Sequence, residues 1–222
     1  MLTLTPVGAS LPTKTSVRAI RQHHGENPKV LTKILHDDVN LAVWQRQLPA
    51  HIADFASLLL SLNEPLAEAL SLELSGEDTE PNLQGLASSF SDLEGYEGFI
   101  ADVSWLVSAF ACLLGAQRIG VRLRVLDKAM CPRFHVDHVP VRLITTYAGI
   151  GSQWLKEGVM DRQQLGQPEA EPLSQIQQVI QGEVALLKGE NWRGNEGFGL
   201  IHRSPQPAPG ARRLILTLDW LS

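Results

Sequence analysis

The stretch CPRFHVDH (131–138) puts four side chains able to bind a metal, Cys131, His135, Asp137 and His138, into eight residues. In an extended chain, residues two apart project to one side, so His135 and Asp137 can approach the same ion. A third donor must come from elsewhere. His202, in GLIHRSP (199–205), is the best candidate because it too ends a predicted strand. Two imidazoles and one carboxylate on one side of a metal leave the opposite positions open, an arrangement suited to Fe(II) and oxygen chemistry. A lone His-x-Asp is also the pattern of a surface histidine beside an aspartate. The weight therefore rests on the third donor and on the residues C-terminal to it.

Those residues include a pair of arginines. Arg212 lies ten residues after His202 and opens the last alternating segment, with Arg212, Leu214, Leu216 and Leu218 on one face. An arginine turned inward on an apolar face needs an anionic partner, because an unpaired buried charge is costly. A carboxylate co-substrate would supply one in the two-pronged geometry that guanidinium favours. Arg213 stands next to it, and parity alone does not choose between the two without the strand register. A different donor set competes for the metal. Cys131, His135, His138 and His202 would make a closed tetrahedral zinc site. It requires the chain to turn at Val139-Pro140, since His138 otherwise falls on the opposite face from His135.

These donors need strands to hold them. RIGVRLRVL (118–126) alternates, with Ile119, Val121, Leu123 and Val125 on one face and Arg118, Arg122 and Arg124 on the other, the period of a half-buried strand. Further strands are predicted over 133–137, 141–147, 183–188, 198–203 and 212–219, and a short helix over 172–181. Before Arg118 the chain reads differently. Residues 1–27 form an irregular leader punctuated by Pro6, Gly8, Pro12 and Gly25; a short helix runs from Asn27-Pro28 to Leu35; and a strand covers 40–47. A helix opens at Leu48-Pro49, a loop covers 73–97, and a strong helix runs from about Glu97 to Leu114 and stops at Gly115. The expectation is one domain, 1–222, with a mostly helical part over 1–117 and a β-rich, metal-binding part over 118–222.

Composition narrows the functional classes. Hydrophobic residues make up 44% of the 222, enough for a core and against disorder. The opening MLTLTPVGASLPTKT lacks the basic and apolar regions of a secretory leader, and Val103–Gln117 is too short to span a bilayer. A cytoplasmic protein without a membrane partner is expected. Two cysteines make no disulfide framework, and Cys112, in an apolar helical pattern, reads as buried. The net charge of −5 is uneven: 47–117 holds eleven acids and no Lys or Arg, leaving the rest at +6. With no uniformly basic footprint, nucleic acid is not expected as a partner, and the substrate is a small molecule or a protein. His23-His24, His36-Asp37-Asp38 and His51 read as solvated. Gly149-Ile150-Gly151 lacks the lysine of a phosphate loop and reads as a turn at a strand end. Trp154 could wall a pocket, and Trp192 sits in a Gly- and Asn-rich stretch that reads as a mobile surface loop.

His-x-Asp, a distal His, and an Arg about ten residues later on a final strand together resemble the iron(II)/2-oxoglutarate-dependent oxygenases, over about Arg118 to Trp220. The resemblance implies an α+β chain whose C-terminal half is a double-stranded β-helix (a jelly-roll, cupin-like core) with N-terminal helices packed on it. It implies that His135, Asp137 and His202 ligate Fe(II) and that Arg212 holds the far carboxylate of 2-oxoglutarate, with Arg213 the rival. Tyr147 would hydrogen-bond the same co-substrate. The whole chain also resembles the domain of unknown function 1826 family of bacterial proteins, through CPRFHVDHVPVRLITTYAGIGSQWL (131–155) and GLIHRSP (199–205). That likeness implies no activity, but such proteins accompany zinc-homeostasis genes, which keeps zinc as the alternative metal. Three functions are in play: an oxygenase, a zinc-binding protein without redox chemistry, and an inactive β-helix that serves as a binding module.

Overall fold

Strict alternation in Arg118–Leu126 gives strand β4, with Ile119, Val121 and Leu123 fully buried on one face and the arginines on the other. The computed structural model describes residues 19–74 and 80–221; most of the expected leader, with Pro6, Gly8 and Pro12, and Gly76 of the expected loop lie outside them. Before β4 come strands β1 (Arg21–Gly25), β2 (Val39–Trp44) and β3 (Ala67–Glu73) and helices α1 (Ala50–Ser61) and α2 (Tyr96–Leu114). A 3-10 turn, Pro28–Leu35, begins where Asn27 accepts a hydrogen bond from the Lys29 amide. Gly115, at φ 64°, ends α2 in the left-handed conformation that glycine adopts without strain. After β4 come β5 (Val141–Ala148), β6 (Gln153–Trp154), β7 (Gln177–Gln178), β8 (Val184–Lys188), β9 (His202–Arg203) and β10 (Arg213–Trp220).

The strands form two sheets. Seven lie in the order β1-β2-β8-β5-β10-β4-β3, antiparallel except for the parallel β1–β2 pair, and three lie in the order β7-β6-β9. From β4 onward the chain passes repeatedly from one sheet to the other. The large sheet is covered on both faces, and the nearly continuous burial of β2, β5 and β8 results from that. On one face Leu143, Tyr147, Leu214, Leu216 and Leu218 pack against Phe55 and Leu59 of α1 and Phe99, Val103 and Phe110 of α2. On the other, Leu41, Val43, Ile144, Ala185 and Leu187 meet Trp154, Val179 and Leu200 from in and beside the small sheet. By length and composition the whole of α2, with mean hydropathy 1.5, would suffice to cross a membrane, although the uncharged stretch Val103–Gln117 is shorter than a span. In this fold it lays its apolar stripe on the sheet, and Trp105 stays exposed against Trp44.

Several expectations change. The N-terminal part is not simply a helical cover: β1 and β2 extend one edge of the large sheet and β3 the other. The predicted strand over 133–137 is reduced to one bridge between His135 and His202, and the one over 198–203 to the two residues of β9. The predicted helix over 172–181 is a 3-10 turn, Leu173–Gln175, followed by β7. These stretches pair in pieces too short for a periodic signal. Cys112, read as buried, is exposed.

Candidate metal centre

The bridge between His135 and His202, with reciprocal backbone hydrogen bonds of 3.0 Å, draws two segments 67 positions apart into register. Their rings lie 4.6 Å apart between centroids. Each imidazole is oriented in the same way. His135 Nδ1 is 3.0 Å from the Arg133 carbonyl and His202 Nδ1 is 3.0 Å from the Leu200 carbonyl. A carbonyl only accepts, so each Nδ1 carries a proton, and in the neutral ring Nε2 is the nitrogen left with a lone pair for a metal. Both Nε2 atoms face Asp137, at 3.7 Å from Oδ1 for His135 and 3.4 Å from Oδ2 for His202. The ligand atoms of the three residues all lie within 4.8 Å of one another. Two imidazole nitrogens and a carboxylate oxygen at this spacing fit a first-row divalent ion with positions left open.

Asp137 is held from behind. Arg142 Nη1 donates to Asp137 Oδ2 at 2.7 Å, while its Nε and Nη2 donate to Asp219 at 2.6 and 3.1 Å. Asp219 also accepts from Arg122 at 2.5 Å. The result is an ion ladder from β4 across β10 and β5 to the metal donors: Arg122, Asp219, Arg142, Asp137. Burial opposes ionisation of Asp137, but the neighbouring His135 and His202 rings and the Arg142 charge outweigh it and hold the carboxyl well below the usual range. The Asp137 carboxylate beside it raises the pKa of His135 against the effect of burial. Outer partners of metal ligands fix ligand orientation. Asp219→Asn should therefore weaken metal binding about 10-fold with His135, Asp137 and His202 intact. A chelator-competition titration checks this, and an unchanged affinity would remove the ladder from the account of the site.

The two rival arginines part company. Arg213 faces the space between the sheets and is fully buried. Its Nη2 donates to Ser152 Oγ at 3.0 Å, and its Nε and Nη1 have no hydrogen-bond partner. Burial without an acidic neighbour pushes its pKa down to about 10. Arg212, expected to hold the co-substrate, does share a face with Leu214, Leu216 and Leu218, but that face packs on the helices. Its guanidinium donates to the Leu60 and Glu64 carbonyls at the end of α1, away from the metal donors. Tyr147 is corrected for the same reason. It faces the helices, donates to Asp102 Oδ2 at 2.6 Å and stacks edge-on against Phe99. Asp102 also receives Arg46 Nη1 and Nη2, so the tyrosine belongs to a buried tie between the segment after β2, α2 and β5.

Cys131 and His138 stand outside the three-residue cluster, so among the described residues the closed four-donor set does not assemble. Gly149 and Gly151 do form a turn, and it seats Arg213. A Cβ on Gly149, at φ 88°, would come within 2.4 Å of the Arg212 carbonyl, and one on Gly151 within 1.7 Å of the Val179 carbonyl. Trp154 is buried between the sheets, its backbone paired with His202 and its ring stacked on His24, which is exposed as expected. The loop 189–197 is tied down: Glu190 accepts the Gly197 and Gly199 amides, and Trp192 lies under Lys188 and against Trp220. Sequence reasoning missed Arg142, Asp219 and Ser152. A charged residue on each of two apolar strands was the available signal for the first two; Ser152 offered none.

Comparison with solved structures gives likeness at low identity. A proposed oxygenase from Shewanella oneidensis aligns with TM-score 0.50 at 8% identity, over 90% of this chain and 89% of that one. Dioxygenase for auxin oxidation 1 from Arabidopsis thaliana, in its 2-oxoglutarate complex, aligns with TM-score 0.49 at 10% identity over 91% and 92%. A Pseudomonas putida prolyl-4-hydroxylase aligns with TM-score 0.45 at 14% identity over 86% and 96%. Of these three the first alone reaches 0.50, and it shows a shared fold. No curated protein sequence matches. The family model described as protein of unknown function, DUF1826, matches residues 25–219, and the chain belongs to that family.

Proposed function

We propose that this protein is a non-haem Fe(II)/2-oxoglutarate-dependent oxygenase built on a double-stranded β-helix. A His-Asp-His cluster alone suits zinc as well as iron. The observation that carries the reading is Arg213, a fully buried guanidinium with two nitrogens unpaired. A cation so placed calls for a carboxylate, and a zinc site without a co-substrate has no use for one. Ser152, its hydrogen-bond partner, lies two residues from Trp154, the residue paired with His202. Two residues are about 7 Å of strand. A five-carbon dicarboxylate spans that length, with one end at Arg213 and Ser152 and the other at the metal.

In this reading His135, Asp137 and His202 hold Fe(II), which supplies oxygen activation coupled to conversion of 2-oxoglutarate to succinate and carbon dioxide. The Nδ1–H bonds to the Arg133 and Leu200 carbonyls keep each ring aimed so that, when neutral, its Nε2 offers a lone pair to the metal. Arg142 holds Asp137 ionised and fixes its orientation. Ile144, Trp154 and Leu200 keep water out of the inner end. The test is to purify the protein anaerobically, add Fe(II) and 2-oxoglutarate, admit oxygen and follow succinate. The wild type forms it even without its substrate, and His135→Ala does not. Tightly bound stoichiometric zinc with no succinate would replace this reading with a zinc-binding one; neither metal nor turnover would leave a binding module.

A further inference from the structure

We propose that Arg124 is the substrate-recognising residue of this centre and that the substrate carries an oxyanion, a carboxylate or a phosphate, which Arg124 holds beside the metal. The proposal rests on the oxygenase reading and names the class of molecule acted on.

Arg124 lies on the same face of the large sheet as the candidate site. The β4–β10 register sets Arg124 opposite Ile215 and Arg122 opposite Thr217, so both flank the row that runs from Arg213 to Asp219. Arg122 is spent on Asp219. Arg124 is not spent on any acid: among the described residues no carboxylate lies within ion-pair distance of it. Its Nη1 reaches only the Met130 sulfur at 3.4 Å, and its Nε is buried without a hydrogen-bond partner. A weak sulfur acceptor and an orphaned donor describe a guanidinium shaped for a partner that comes and goes.

The approach is open. On this face, β3 opposes the arginines with small exposed residues: Ala67 faces Arg124 and Ala69 faces Arg122. Charge agrees. In the ladder Asp137 and Asp219 are balanced by Arg142 and Arg122. A divalent metal is balanced by a dianionic co-substrate, with Arg213 holding one end. Arg124 remains as positive charge on this face of β4, in a chain of net charge −5. A local field of that sign steers and orients anions.

Full-length metal-free protein is titrated by calorimetry with inorganic phosphate and, separately, with benzoate; the two arms separate phosphate from carboxylate recognition. At least one binds saturably to the wild type. Arg124→Gln weakens it about tenfold, the loss of one charge-assisted hydrogen bond. The same variant binds 2-oxoglutarate with Fe(II) as the wild type does, which separates Arg124 from Arg213. Labelling the wild type with an arginine-selective reagent, read by peptide mass, gives the same answer without a variant: Arg124 is modified in the free protein and protected by the probe. Binding of neither probe, affinity undiminished in Arg124→Gln, or absence of protection overturns the proposal. Loss of 2-oxoglutarate binding in Arg124→Gln also overturns it, because it would make Arg124 the co-substrate anchor. Failure of the wild type to bind Fe(II) and 2-oxoglutarate would sink the oxygenase reading while leaving probe binding intact.

Discussion

His202→Ala should reduce metal affinity by at least about 100-fold and leave no measurable succinate formation. The ring of His202 is nearly fully buried, aimed by the Leu200 carbonyl, with Nε2 toward Asp137. Removing it leaves two donors, and nothing else among the described residues stands ready to replace the third. Cys131→Ala and His138→Ala are the matched controls and should bind metal as the wild type does. Stoichiometry by elemental analysis and affinity by chelator competition decide the matter; loss of metal in the controls would restore the closed zinc set. The pH dependence has a definite sign. His135 has a folded-state pKa above its ordinary value of about 6.5. Its pairing with Asp137 therefore adds stability that is fully present below that value and is lost as pH rises through the folded one. Metal needs the neutral ring, so affinity rises over the same interval. Melting curves of metal-free and metal-loaded protein should accordingly diverge as pH increases, and parallel curves would remove His135 from the ligand set.

The second large effect comes with opposite signs for stability and function. Arg213→Leu should raise the stability of metal-free protein by about 1–3 kcal/mol, because it removes a buried charge whose Nε and Nη1 go unpaired. The same change should weaken 2-oxoglutarate binding by at least about 100-fold, since the charge-assisted bonds to its carboxylate are lost. Arg212→Ala should do the reverse, costing less than about 1 kcal/mol through the carbonyls at the end of α1 while leaving 2-oxoglutarate binding in place. Denaturant unfolding and co-substrate titration of both variants check the pair. Destabilisation by Arg213→Leu would show a structural counter-ion for that guanidinium, and the co-substrate pocket would fall with it.

The donors were legible because their spacing obeys strand geometry. His135 and Asp137 are two apart, and His202 is bridged directly to His135. The arginine assignment failed on register. Alternation groups Arg212 with Leu214, Leu216 and Leu218 correctly, but a sheet covered on both faces gives two apolar sides, and composition does not say which one holds the site. Tyr147 failed on the same ambiguity. Strand β3 was missed because AEALSLE sits on an edge with exposed small residues, leaving little hydrophobic contrast. The small sheet was blurred because its strands are two residues long, below the window any periodicity needs.

The pairing of β2 with β8 joins Leu41 to Leu187. That partner leaves the ribosome long after β2 itself, and loop closure on this scale makes the large sheet a late event in folding. Until then a mostly apolar strand has one bare edge, the geometry that invites association with other chains. Synthesis of this protein therefore depends on how β2 is sheltered while nearly two-thirds of the polypeptide is still being made, and cutting the gene at Arg118 would separate β2 from β8 and β3 from β4.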